Sequence, residues 1–160
     1  RLDTVVPMLM RREGIDMWLL IAREYNEDPV IETMLPATWL SARRRTVLIF
    51  YDAGTDRALE KLAVSRYAPG EQFVAAWLPE EQPDQWARIA RLIAERNPRR
   101  IAVNQSEFFP LADGLSASEE KALVGDGLAT FDCFIENEPQ DGSEVQCLAT
   151  ASLSVFRRPV

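Results

Sequence analysis

Arg23, Glu24, Tyr25, Asn26, Glu27 and Asp28 stand in a row before Pro29, directly after the apolar run "MWLLIA". In such a row Arg23 can clamp a carboxylate through two parallel hydrogen bonds, Tyr25 can touch a ligand, and Glu27 or Asp28 can receive an amine. The same residues also make an ordinary wet loop, with Asp28-Pro29 starting a turn and Glu24 paired to a nearby arginine. Arg43, Arg44 and Arg45 form the one basic cluster, just before the apolar "TVLIFYD". Arg44 can face the acidic loop or a substrate carboxylate, although alternation into a strand makes one or two of the three plain solvent-facing residues. Of the four tryptophans, Trp18 and Trp86 follow core-facing patterns, whereas Trp39, in a long loop after Pro36, is a candidate surface contact.

Other chemistry is excluded by what the chain lacks. It holds no histidine, which removes Ser-His-Asp triads, Cys-His pairs, HExxH zinc sites and any imidazole base. Carboxylate, lysine or cysteine chemistry is left. Asp16 and Asp52 fall near strand ends and are the candidates for a magnesium-dependent nuclease, which needs several carboxylates converging from separate strands. Asp and Glu number 25 against 18 Lys and Arg, a net charge of −7, and that field repels a phosphate backbone. No nucleic-acid partner is expected. Cys133 and Cys147 have no CxxC spacing, and free buried thiols are the simpler reading beside a disulfide. No apolar run approaches the roughly 20 residues of a membrane span. A soluble protein is expected, cytoplasmic or, given the opening at Arg1 without a methionine, a processed periplasmic form.

The elements that must position these residues are legible from period and punctuation. Residues 4–14 read as a helix with Thr4 as its cap, an apolar stripe of Val5, Val6, Leu9 and Met10, and a glycine stop at Gly14. Residues 15–22 are continuously apolar after Asp16, as for a strand covered on both faces. Residues 30–42 read as irregular with one helical turn, because Pro36 interrupts anything longer. Residues 46–52, 62–68 and 73–78 read as three strands of an antiparallel meander, the last two joined through Pro69-Gly70. A helix runs from Pro83 to about Arg96 with Trp86, Ile89, Ala90 and Ile93 on its buried face, and Asn97-Pro98 ends it. Residues 99–104 form a strand, and Ser116 and Glu119 have capping-box spacing at the head of another helix. A strand–helix–strand passage implies a crossover, hence a mixed sheet covered by helices. Residues 132–160 differ: loop-like "ENEPQDGSE" is followed by "VQCLATASLSVF", one strand or an extended arm.

In this order the segments resemble a known family. The helix ending "RREGID", the apolar strand, the long loop, the meander, "PDQWARIARLIAERNPRRIAVN" and "ADGLSASEEKAL" are similar to the N-terminal domain of creatinase, prolidase and Xaa-Pro aminopeptidases, over about residues 2–125. "REYNEDP" and "MLPATWLSARRRT" resemble one bacterial subgroup of Xaa-Pro peptidases. A Tyr-Leu-Thr-Gly-type stretch, usual in the family after the first strand, is missing. The resemblance implies an α/β fold, a three-layer α/β/α domain with a mixed sheet of ribonuclease-H-like motif. It spans residues 1–131, with a divergent tail over 132–160 as an added strand or arm.

The resemblance also implies where chemistry lies. In the family a C-terminal "pita-bread" domain carries two Asp, one His and two Glu that hold two divalent metal ions, while the N-terminal domain supports dimerisation and closes over an active site, often the neighbour's. This chain stops before such a domain, so no catalytic residue, metal ligand or cofactor is expected in it. The expected partners are a second copy and a catalytic domain. The substrate-contact candidates are Arg23, Tyr25, Glu27, Asp28, Trp39 and Arg44, in an exposed loop where Arg23 can be removed without harm to folding. The alternatives are a free-standing peptide- or protein-binding module and the nuclease built on Asp16 and Asp52.

Overall fold

The computed structural model describes residues 1–39, 41–106, 113–125 and 153–157. The sequence expectations for Cys133, Cys147 and the loop before the last strand lie outside them. The chain opens with helix α1 (Val5–Arg12), strand β1 (Met17–Arg23) and the single turn α2 (Ile31–Met34). Strands β2 (Arg45–Tyr51), β3 (Glu60–Val64) and β4 (Val74–Ala75) follow, then helix α3 (Gln85–Arg96), β5 (Arg100–Asn104), α4 (Ala117–Gly125) and β6 (Leu153–Arg157). They form one mixed α/β sheet in the order β4-β3-β2-β1-β5-β6.

β1 sits in the middle, antiparallel to β2 and parallel to β5, and this explains its unbroken apolar run. Trp18, Leu20 and Ala22 enter one core with Val6 and Met10 of α1 and Ile31 and Met34 of α2. Met17, Leu19 and Ile21 enter the other with Ile89, Leu92 and Ile93 of α3 and Leu123 of α4. Helices therefore cover both faces, and a strand with period-2 side chains has no wet side left to alternate with. Among the described residues no helix is long and apolar enough to cross a membrane.

Several local expectations are corrected. Thr4 makes no side-chain cap; the first amides of α1 donate instead to the Arg1 carbonyl. Val5 faces solvent, and Pro7 takes its place on the buried face. Helix α3 starts after Asp84, not at Pro83, because the Asp84 carboxylate accepts from the amides of Trp86 and Ala87. Its buried face is Gln85, Ile89, Leu92 and Ile93, while Trp86 and Ala90 are half-buried. Asn97 ends the helix in the left-handed conformation, as expected of that position. β4 departs most. It runs parallel to β3, not antiparallel, and contributes only Leu62↔Val74 and Ala63↔Ala75. The loop over residues 65–73 carries the chain back before the short β4, so of the three strands expected in the meander only β2 and β3 run antiparallel, with β1 antiparallel on the other side of β2. β6 pairs antiparallel with β5 along its whole length.

Candidate functional site

The polar row that follows "MWLLIA" emerges at the C-terminal end of β1, beside the C-terminal end of parallel β5. Arg23 and Asn26 exchange backbone hydrogen bonds of 3.2 and 2.9 Å, closing a four-residue turn. Tyr25, third in that turn, adopts φ 68° and is 93% exposed. A left-handed tyrosine is uncommon and strained, since Cβ crowds the backbone there. A second left-handed residue, Arg44 at φ 53°, lies alongside: the Glu24 amide donates to the Arg44 carbonyl at 2.8 Å. The Glu24 carboxylate returns toward Arg44 at 3.9 Å, a loose exposed pair. Glu27 is half-buried and its carboxylate accepts from the Tyr25 amide at 3.4 Å.

Asp28 breaks the expectation of an exposed loop. It is 1% exposed, and its Oδ1 accepts from the Val30 amide at 2.7 Å and from Asn104 Nδ2 at 3.0 Å. Asn104, the last residue of β5, in turn accepts from Trp18 Nε1 at 2.9 Å. Asp28 thus ties β1, β5 and the loop into one buried network, and it is not available to a substrate amine. Burial pushes its carboxyl above the usual carboxylate range, and the nearby Glu119 carboxylate adds to the rise. Gly114 completes the enclosure, because a Cβ there would stand 2.2 Å from Asp28 Cγ.

Arg23 also has an internal duty. Its Nε lies 3.2 Å from Glu119 Oε1, and Glu119 is 2% exposed. The two atoms attract without an aligned hydrogen bond. Ser116 Oγ donates to the other Glu119 oxygen at 2.6 Å, so the expected capping box is replaced by a side-chain to side-chain bond at the head of α4. Removing Arg23 would leave a buried carboxylate without its cation, contrary to the expectation that folding would not notice. Glu119 and Asn104 are the residues of this site that sequence reasoning missed. Glu119 carried a signal, its capping position, but nothing local said that it would turn inward to meet β1.

The structure therefore gathers Arg23, Tyr25, Glu27 and Arg44 at one end of the sheet and withdraws Asp28 from it. Asp28 is internal, and Trp39 is half-buried against the core under α1 and α2. At the opposite end Asp52 is held by Arg11 through bonds of 2.6 and 3.0 Å, and this partner keeps its carboxyl below the usual range. Asp16 accepts from the amides of Arg99 and Arg100 at 2.8 and 3.1 Å. Asp52 thus ties the end of β2 to α1, and Asp16 ties the start of β1 to β5. Among the described residues no three metal-ligating side chains come together. No family model, curated protein or solved structure matches the chain.

Proposed function

We propose that this chain is a non-catalytic recognition domain, of the kind that caps the substrate site of an Xaa-Pro peptidase-like metallopeptidase and supports its dimer. The observation that carries the reading is the exposed, left-handed Tyr25 beside left-handed Arg44, at the sheet end where β1 and β5 both finish. Ligand crevices of α/β sheets lie outside the carboxyl ends of their strands, and strained exposed residues persist where the surrounding structure holds them for a purpose. Arg23, Tyr25 and Arg44 can reach outward from this end, while Asp28, Asn104 and Glu119 hold the platform beneath them. A mixed sheet with helices on both faces is compatible with the ribonuclease-H-like motif of the creatinase N-terminal domain. The segment resemblance over about residues 2–125 supports that finer assignment.

In this reading catalysis belongs to a second domain with two divalent metal ions, and this chain supplies shape and contacts. The test has two parts. The encoding gene should continue into a two-metal pita-bread domain, and in that longer protein Tyr25→Ala should lower turnover of Xaa-Pro peptides while leaving bound metal unchanged. Unaltered kinetics in the variant, or proline release from Xaa-Pro dipeptides by the present chain alone with added manganese, would overturn it.

A further inference from the structure

We propose a second binding site, for an oxyanion carried on a flat apolar body such as an aromatic phosphate or carboxylate, on the α3 side of the same sheet end. An open depression of about 460 Å³ is lined there by Arg44, Arg45, Arg66, Tyr67, Trp77 and Gln85. Among the described residues that line it, three are guanidinium-bearing and none is acidic, in a chain of net charge −7. Guanidinium groups gathered this closely repel one another, and a bound anion would relieve that repulsion.

The convergence has a structural cause. Successive residues of a strand point to opposite faces, so Arg44 and Arg45 should diverge. Arg44 adopts φ 53° immediately before β2 begins, which breaks the alternation and lets both border one depression. Arg45 is then held in place. Its guanidinium carbon stands 4.9 Å from the centroid of the Trp86 ring, and a terminal nitrogen reaches Gln85 Oε1 at 3.5 Å. Gln85 is itself fixed, donating to the carbonyls of Arg45 and Val64 at 3.1 and 2.9 Å.

The donors are nevertheless underused. Arg45 Nε is buried and meets no acceptor among the described residues. Among the described residues no carboxylate lies within ion-pair reach of Arg45 or Arg66, and Arg44 has only Glu24 at 3.9 Å. A planar guanidinium offers five N–H groups in a fork matched to carboxylate and phosphate oxygens. Tyr67 and Trp77 also line the depression, and their aromatic surface suits a ring more than a bare ion. This site goes beyond the capping of a neighbouring active centre and needs no catalytic domain.

Binding can be read on the chain itself from the arginine Nε–Hε signals in nitrogen–proton correlation spectra, at constant ionic strength. Phenyl phosphate and benzoate are the probes for the two oxyanions, with inorganic phosphate as the ring-free comparison. The signals of Arg44, Arg45 and Arg66 should shift saturably with at least one ring-bearing probe, and the tighter of the two identifies the anion. Arg66→Ala removes an exposed side chain that has no ion pair among the described residues and should weaken binding about tenfold, while Arg57→Ala, the same charge change on an exposed arginine outside the depression, should not. Uniform, non-saturating shifts, equal weakening by the two variants, or inorganic phosphate binding as tightly as the ring-bearing probes would each overturn the assignment.

Discussion

Asp52 and Asp28 close opposite ends of the same sheet, and they do it in opposite ways. Asp52 is gripped by the Arg11 guanidinium, which lowers its proton affinity. Among the described residues Asp28 has no ion-pair partner; burial outweighs its amide donors, and its proton affinity rises. The first end is a finished joint, with acid matched to base and Asp16 bonded to the next strand. The second is a strained platform, with two left-handed side chains above a buried carboxylate and buried atoms of Arg23 and Glu119 that lack aligned hydrogen bonds. Stability alone would favour building both ends like the first. The contact role proposed above falls at the second of these ends, where β1 and β5 finish.

The contrast breaks most visibly at Asp28. Asp28→Ala strands the Val30 amide and the Asn104 side chain, at a cost on the order of 2 kcal/mol, read as a lower urea midpoint at pH 7. Asp28→Asn keeps the acceptor and should cost much less. The sign of the pH effect follows from the raised value: stability from this group is fully present below the ordinary aspartate value of about 3.9 and is lost as pH rises through its raised folded value. Asp28→Asn should flatten that decline. If the variant keeps the wild-type slope, ionised Asp28 is not what causes it.

A smaller effect is expected from the joint. Arg11→Ala should lower the urea midpoint at pH 7 by less than Asp28→Ala does, because Arg11 is partly exposed and its pair is screened. Here the sign reverses. Stability from Asp52 is present above the ordinary aspartate value and is lost as pH falls through its lowered folded value. Wild type and Arg11→Ala should therefore converge in strongly acidic urea titrations, and a gap that stays constant there would refute the assigned role of this pair. The least change belongs to the platform's tip. Tyr25→Gly relieves the left-handed backbone at little loss of packing, and should raise stability by about 0.5 kcal/mol after the entropy of the glycine is counted. A thermal melt showing clear destabilisation would mean that Tyr25 packs where it now stands exposed.

Most of the scaffold could be read along the chain, because its signals are local. "MWLLIA" needs two covered faces, Asn97 suits a left-handed cap, and Gly14 takes φ 64° as its position after α1 required. Errors came where a distant partner decides. The direction of β4 depends on where the loop over residues 65–73 returns it, and no turn residue states that. Asp28-Pro29 looks like the start of a wet turn, yet Asn104, 76 positions away, draws its carboxylate inside. Arg45 and Gln85 become a pair only because β2 and α3 meet. Of the site, the polar row and Arg44 were visible, and the internal bonds that separate Asp28 from Tyr25 were not.

The brevity of β4 has a consequence for assembly. A sheet edge is a row of free amides and carbonyls, and a long flat one invites pairing with another molecule. Here the strand outside β3 contributes two residues, with Val74 65% exposed. A template of that length holds too little ladder to recruit a foreign strand in register. This border of the sheet is blunted against fibre-like growth, and a second molecule seated here would meet side chains and loops, not a continuing ladder.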